Sequence, residues 1–298
     1  MKVSLIQTLG GHAAAIYKLI PGHLTGTFIS CGGEGYVVEW EPQVSDKGQL
    51  VARDTDSLYC SNMFDKEQLF LGTKNGMLIN CNLNKPQEIR KLDIHRKGIY
   101  SIASNDEFIF TAGGDGWLRV LDRNSMNLIF SYQLSGTALR SVVLIPETNQ
   151  LLVAGTQAKI FQLNALNFEL ISGNSSIHSN SVFCMLMKST DEFYSAGRDA
   201  SLNYNTIGNS IENKISVPAH MNTINDLALN QDMSLLASVS RDRTIKIWNP
   251  ESLELLKVID GLKFRSHTHS INAVLWHDQE TLISAGDDRM IKVWKIEV

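Results

Sequence analysis

No apolar run in the sequence approaches the ~18 residues that a membrane-crossing helix needs. No segment sustains a helical period with capping signals at both ends, which argues against helical folds. Charge is sparse, with 19% Asp, Glu, Lys and Arg and a net charge of −4, and there is no basic run. That balance argues against a general binder of nucleic acid or of anionic membranes. Cysteine is equally thin: Cys31, Cys60, Cys81 and Cys184 are the whole complement, spread without metal-ligand spacing. They read as reduced thiols of a cytosolic protein, three of them in or beside expected strands. Neither a metal nor a cofactor is expected. The opening "MKVSLIQTLGGH" has one Lys and an apolar stretch too short and interrupted for a signal peptide, so the expected location is cytoplasmic.

What the sequence does have is a repeat. From His220 an apolar stretch runs to "SVSRD" and closes on the alternating Thr244-Ile245-Lys246-Ile247-Trp248. The pattern returns at His267, with "INAVLW", then Ser284-Ala285-Gly286-Asp287-Asp288 and Ile291-Lys292-Val293-Trp294. Traced backwards, the turn position reads Asp288, Asp242, Asp199, Gln157, Asp115, Asn75 and Glu34, in steps of 40 to 46 residues. The opening position reads His267, His220, His178, Ser135, His95, Asp54 and His12, always 20 to 22 residues before the turn. Seven units in such tight register fill residues 1–298 as one domain.

Each unit holds several short runs of Val, Ile, Leu, Phe and Thr between Gly, Asn, Asp and Ser turns, the pattern of antiparallel strands joined by hairpins. About four strands fit one unit. A single such sheet cannot bury both faces, so neighbours must stack, and radial stacking closes into a propeller. The expected fold is therefore all-β, a seven-bladed propeller of four-stranded blades. Residues 3–8, "VSLIQT", have no unit of their own and the last unit stops after its third strand. The economical closure makes this N-terminal strand the outer strand of the final blade. The longest connection lies between Trp248 and His267, and its Asp260-Gly261 reads as a turn.

Gly11-His12, Ala219-His220, Trp40-Glu41, Trp248-Asn249 and Trp294-Lys295 resemble the Gly-His and Trp-Asp dipeptides of the WD-repeat family. The resemblance covers essentially the whole sequence, although the strict Trp-Asp pair occurs nowhere. It implies a hydrogen-bonded relay in each blade of His, a strand Ser or Thr, the turn Asp and the Trp. All four members are present as His220, Ser238, Asp242 and Trp248, and again as His267, Ser284, Asp288 and Trp294. The first unit has Glu34 for Asp, the third Leu121 for Trp and the fifth Asn205. The second and fourth, with Leu71 and Val153 at the strand position, have lost the relay, which leaves no half-paired hydroxyl behind.

Ser, His and Asp together can form a nucleophilic triad, but here the trio recurs at matching positions with a Trp as fourth member, which points to structure. His267 and His269 have no Cys or carboxylate cluster to complete a metal shell. The glycines of "CGGEG" and "AGGDG" fit neither phosphate-loop spacing and belong to hairpins. The informative column lies five residues after each opener: Tyr17, Tyr59, Tyr100, Arg140, Phe183, Asn225 and Asn272. In WD-repeat propellers this position lies near the channel mouth, and aromatics and Arg are the residues that dominate binding hot spots. The residue before each turn adds Lys74, Arg198 and Arg241, a basic arc on the same face. The expected function is a non-catalytic platform, monomeric on its own, for another protein or peptide, with an acidic partner suited to the arc. The alternatives are a propeller hydrolase or lyase, or a small-ligand or carbohydrate binder at the mouth. The absence of His, Asp and Glu from the mouth column favours binding.

Overall fold

Alternating apolar residues and Gly-rich hairpins turn each unit into a four-stranded antiparallel sheet, and the computed structural model, which describes residues 1–173 and 177–297, holds seven of them. The innermost strands are Ile16–Pro21, Leu58–Met63, Ile99–Ser104, Leu139–Ile145, Val182–Met187, Ile224–Leu229 and Ile271–Trp276. Each packs on the next, and the first packs on the last, so the sheets form a closed ring of blades 1 to 7. The N-terminal strand Lys2–Leu9 pairs antiparallel with Ile291–Glu297 as the outer strand of blade 7, so the closure expected from the sequence is present. Closure of this kind removes the free apolar sheet edge that invites aggregation.

The core lies between blades rather than within them. Seven apolar clusters each join two neighbours: Ile245 and Ile247 of blade 6 pack with Trp294 and Ile296 of blade 7, and Trp40 and Phe28 of blade 1 pack with Ile283 and Val293 of blade 7. The others follow the same rule around the ring. A buried Leu or Ile contributes about 1.5–3 kcal/mol, so a blade without its neighbour loses most of its stabilisation. All four cysteines are free and buried in these layers. Burial pushes the Cys31 thiol up to about 12 and that of Cys81 to about 11, so they behave as small apolar side chains.

Within the blades the relays are in place. In blade 6 Trp248 Nε1 donates to Ser238 Oγ at 2.8 Å, Ser238 Oγ lies 2.7 Å from His220 Nε2, and His220 Nδ1 lies 2.9 Å from Asp242. Blade 7 repeats this with Trp294, Ser284, His267 and Asp288 at 2.9, 2.8 and 2.9 Å. Each Asp also accepts the backbone amide after the opening His, at Met221 and Thr268, and so ties the blade's entry to its turn. Blade 1 runs the same relay with Glu34 bonded to His12. In blade 3 Leu121 replaces the indole, and Arg119 donates to Asp115 at 3.0 Å. In blade 5 Asn205 takes the place of the Trp. One local expectation is corrected. Asp260-Gly261 is not a simple turn but the start of a short helix, Gly261–Phe264, with the Asp260 carboxylate accepting the Lys263 amide at 2.8 Å. The Asp fits an N-cap as well as a turn, and the sequence does not distinguish the two.

Candidate functional site

All seven innermost strands carry a bulge near their start, and the bulged residue is the same in each blade. Pairing skips Tyr17, Tyr59, Tyr100, Arg140, Phe183, Asn225 and Asn272 in turn. A bulge re-aims a side chain out of the ordinary alternation, and here it turns seven side chains towards one axis. They line a single concavity of about 330 Å³ at the channel mouth, above a central channel of about 680 Å³. All seven are half-buried.

The ring is held by contacts between its own members. Tyr17 meets Tyr59 edge to face at 5.2 Å, and Tyr59 stacks on Tyr100 at 5.7 Å with an 8° interplanar angle. The Arg140 guanidinium then sits 4.1 Å from the Tyr100 ring centre and 4.9 Å from that of Phe183. On the other side Asn225 donates to the Ile271 carbonyl at 2.7 Å, and Asn272 donates to Asp287 at 2.7 Å and to the Ile16 carbonyl at 3.1 Å. These two amides therefore fasten blade 6 to 7 and 7 to 1. The mouth divides into an aromatic and cationic arc over blades 1 to 5 and an amide arc over blades 6 and 7. Burial, and then the charge of Asp287, raises the Tyr17 phenol above its ordinary value, and burial raises that of Tyr59. Both stay protonated near neutral pH and offer no base.

The pre-turn residues sit beside the ring because each donates its amide to the carbonyl two residues before the ring position. Lys74 bonds Ser57 at 2.8 Å, Arg198 bonds Ser181 at 2.8 Å and Arg241 bonds Thr223 at 2.9 Å. Lys74, Arg198 and Arg241 are exposed, and none lies in an ion pair among the described residues. Where this position is Gly, a ring leans over it: a Cβ on Gly114 would lie 2.8 Å from Tyr100, and one on Gly33 3.2 Å from Tyr17. Glycine in blades 1 and 3 makes room for the tyrosines.

One pair escaped the sequence reading. Just inside the mouth, Lys18 of blade 1 reaches Asp226 of blade 6 at 3.5 Å, past the small Ala273 of blade 7. The Asp226 carboxylate holds the Lys18 ammonium above its ordinary value, against the opposing effect of burial. The sequence did contain a signal for it. The column six after each opener reads Lys18, Cys60, Ser101, Ser141, Cys184, Asp226 and Ala273, two opposite charges among small residues.

Three stretches, residues 86–122, 212–249 and 261–295, match the model of the WD domain, G-beta repeat. They correspond to the repeat registers that end at Leu121, Trp248 and Trp294. The chain is a seven-bladed β-propeller that carries WD repeats over these three stretches. Its shape is similar to the crystal structure of the WD40 beta propeller domain of Doa1, with a TM-score of 0.87 at 20% identity over 99% of this chain and 97% of that one. In sequence this propeller is 24% identical to Actin-interacting protein 1 of Drosophila melanogaster over 243 residues, 78% of this chain and 37% of that protein. It is 30% identical to a Ribosome biogenesis protein WDR12 homolog of Trichoplax adhaerens over 110 residues, 30% of this chain and 26% of that protein. These matches span only about a quarter to two-fifths of the curated relatives' lengths.

Proposed function

We propose that this propeller is a non-catalytic platform that binds another protein or peptide on the face around the channel mouth. The observation that carries this reading is the ring itself: seven bulges direct four aromatics, an arginine and two amides to one half-buried concavity. Aromatics and Arg held in place by neighbours bury much area at small entropic cost, as hot spots do. The exposed Lys74, Arg198 and Arg241 beside it favour an acidic partner by steering. The relative named Actin-interacting protein 1 is described by its contact with a protein, which fits the same role. The four free, buried thiols support a cytoplasmic setting.

The enzyme reading finds less support. The mouth ring contains no His, Asp or Glu. The Ser-His-Asp sets are buried in the blades, where the Ser238 hydroxyl already meets both an indole and an imidazole. The test is photo-crosslinking in lysate from p-benzoyl-phenylalanine placed at Phe183 or, as control, at Lys47 on the opposite face. A protein adduct specific to position 183 is expected; an adduct only from position 47 contradicts the assignment of the face.

A further inference from the structure

Arg140 is the only charged side chain in the ring at the mouth. Its guanidinium has the Tyr100 and Phe183 rings beside it at 4.1 and 4.9 Å, and these cation–π contacts hold it at the mouth. No carboxylate among the described residues pairs with it, and its Nε is buried without a hydrogen-bond partner. The nearby acids are engaged elsewhere: Asp56 accepts the Ser57 and Asn75 amides, and Asp226 pairs with Lys18. Lys74, Arg198 and Arg241 on the adjoining turns are positive, and Asp287, the acidic member of that column, is engaged by Asn272 at 2.7 Å across the amide arc. A half-buried guanidinium is costly to leave unpaired, and here it is held at the opening of a concavity rather than released to solvent.

We propose, building on the binding face assigned above, that Arg140 is the receptor for one carboxylate of the partner, with the residues next to that carboxylate lying on the Tyr59–Tyr100 stack. The partner segment is thus an acidic one, presenting either an Asp or Glu side chain or a free C-terminus. A carboxylate is planar and accepts the two parallel N–H bonds of the fork in the plane of the guanidinium. A phosphate also accepts two parallel bonds from the fork, and the peptide pair below separates the two anions. Lys at this position keeps the charge but not the fork or the stacking.

The experiment is selection of random twelve-residue peptides on the folded protein, in parallel with Arg140→Gln and Arg140→Lys, each first checked for an unchanged thermal melt. Wild type is expected to enrich peptides with one fixed Asp or Glu, or an acidic terminus, beside apolar residues. In a synthetic peptide so selected, Glu→Gln should weaken binding to wild type about tenfold or more and to Arg140→Gln less than about twofold. Arg140→Lys should fall between. An amidated C-terminus tells the two carboxylate sources apart, since it weakens binding only where the terminus is the ligand. Tighter binding of a phosphoserine peptide than of its Glu counterpart overturns the carboxylate assignment, as does an acidic preference that survives Arg140→Gln. Peptides that lose binding with Tyr59→Ala but carry no acidic position refute this inference and leave the binding face standing. Peptides indifferent to Tyr59→Ala, or no enrichment at all, count against both. A variant that fails the melt is replaced by Arg140→Met, read against the same peptide pair.

Discussion

Asn205 donates from Nδ2 to the Ser195 hydroxyl at 3.0 Å, in the place where Trp248 donates to Ser238 at 2.8 Å. A carboxamide thus replaces an indole at the same step of the relay, and Asn213 completes it by donating to Asn205 Oδ1 at 3.0 Å. Blade 5 therefore keeps a full polar relay through Ser195, His178 and Asp199, with the side-chain volume of the Trp given up and its N–H retained. Asn205→Leu should leave Ser195 without its donor and Asn213 without its acceptor, lowering stability by about 1–3 kcal/mol. Equilibrium denaturation checks this, and an unchanged midpoint would show the amide to be dispensable.

Intact and eroded blades should respond differently to loss of the opening residue. His220→Ala removes the link between Ser238 and Asp242 inside blade 6 and should cost about 2–4 kcal/mol. The Ser135 side chain, the equivalent in blade 4, bonds only Thr137 of its own loop, and Ser135→Ala should cost less than about 1 kcal/mol. Equal shifts in thermal melts would contradict the distinction.

The relays also make the fold acid-sensitive in two steps. Burial holds His95 and His220 below their ordinary 6.5, outweighing the attraction of Asp115 and Asp242. Burial raises the two aspartates, but their bonds to His and to backbone amides prevail, holding Asp115 at about 2 and Asp242 well below the carboxylate range. All four groups bind more protons unfolded than folded, so their contribution is complete above pH 6.5 and decreases on acidification. The first loss falls below pH 6.5 as the histidines protonate in the unfolded state, and the second below the ordinary aspartate value of 3.8. Denaturant midpoints should drop between pH 7 and 5, with a flatter slope in His95→Asn/His220→Asn. Stability that rises over that interval would contradict the assignment.

The periodic part of this architecture is written plainly in the sequence. The register from His12 to Trp294 locates every blade, and the unpaired "VSLIQT" locates the closing strand, because both depend on spacing and strand count alone. The ring column is legible for the same reason: a bulge repeated seven times keeps one position in one place. What escapes is chemistry between residues that share no spacing rule. Asn205 reads as a lost Trp because residue type alone does not reveal that an amide N–H reaches the same hydroxyl. Lys18 and Asp226 are separated by 208 residues, and only closure of the ring brings blades 1 and 6 to within a lysine's length.

Closure can be tested directly. The strand Lys2–Leu9 covers the edge of Ile291–Glu297 and places Leu5 and the fully buried Leu9 in the layers on either side of blade 7. Deleting residues 1–8 should expose that edge and abolish a cooperative melt, with aggregation in its place. A truncated protein that melts cooperatively within a few degrees of wild type would show that blade 7 stands without it.

The most direct test of the binding face is a calorimetric titration of the crosslinked partner, once purified, against wild type, Tyr59→Ala, Tyr100→Ala and Lys47→Glu, each matched for its melting temperature. Either tyrosine truncation should weaken binding by about 1–3 kcal/mol while Lys47→Glu leaves it unchanged. Binding that survives both tyrosine truncations and fails with Lys47→Glu would place the site on the opposite face and contradict the assignment of the mouth as the platform.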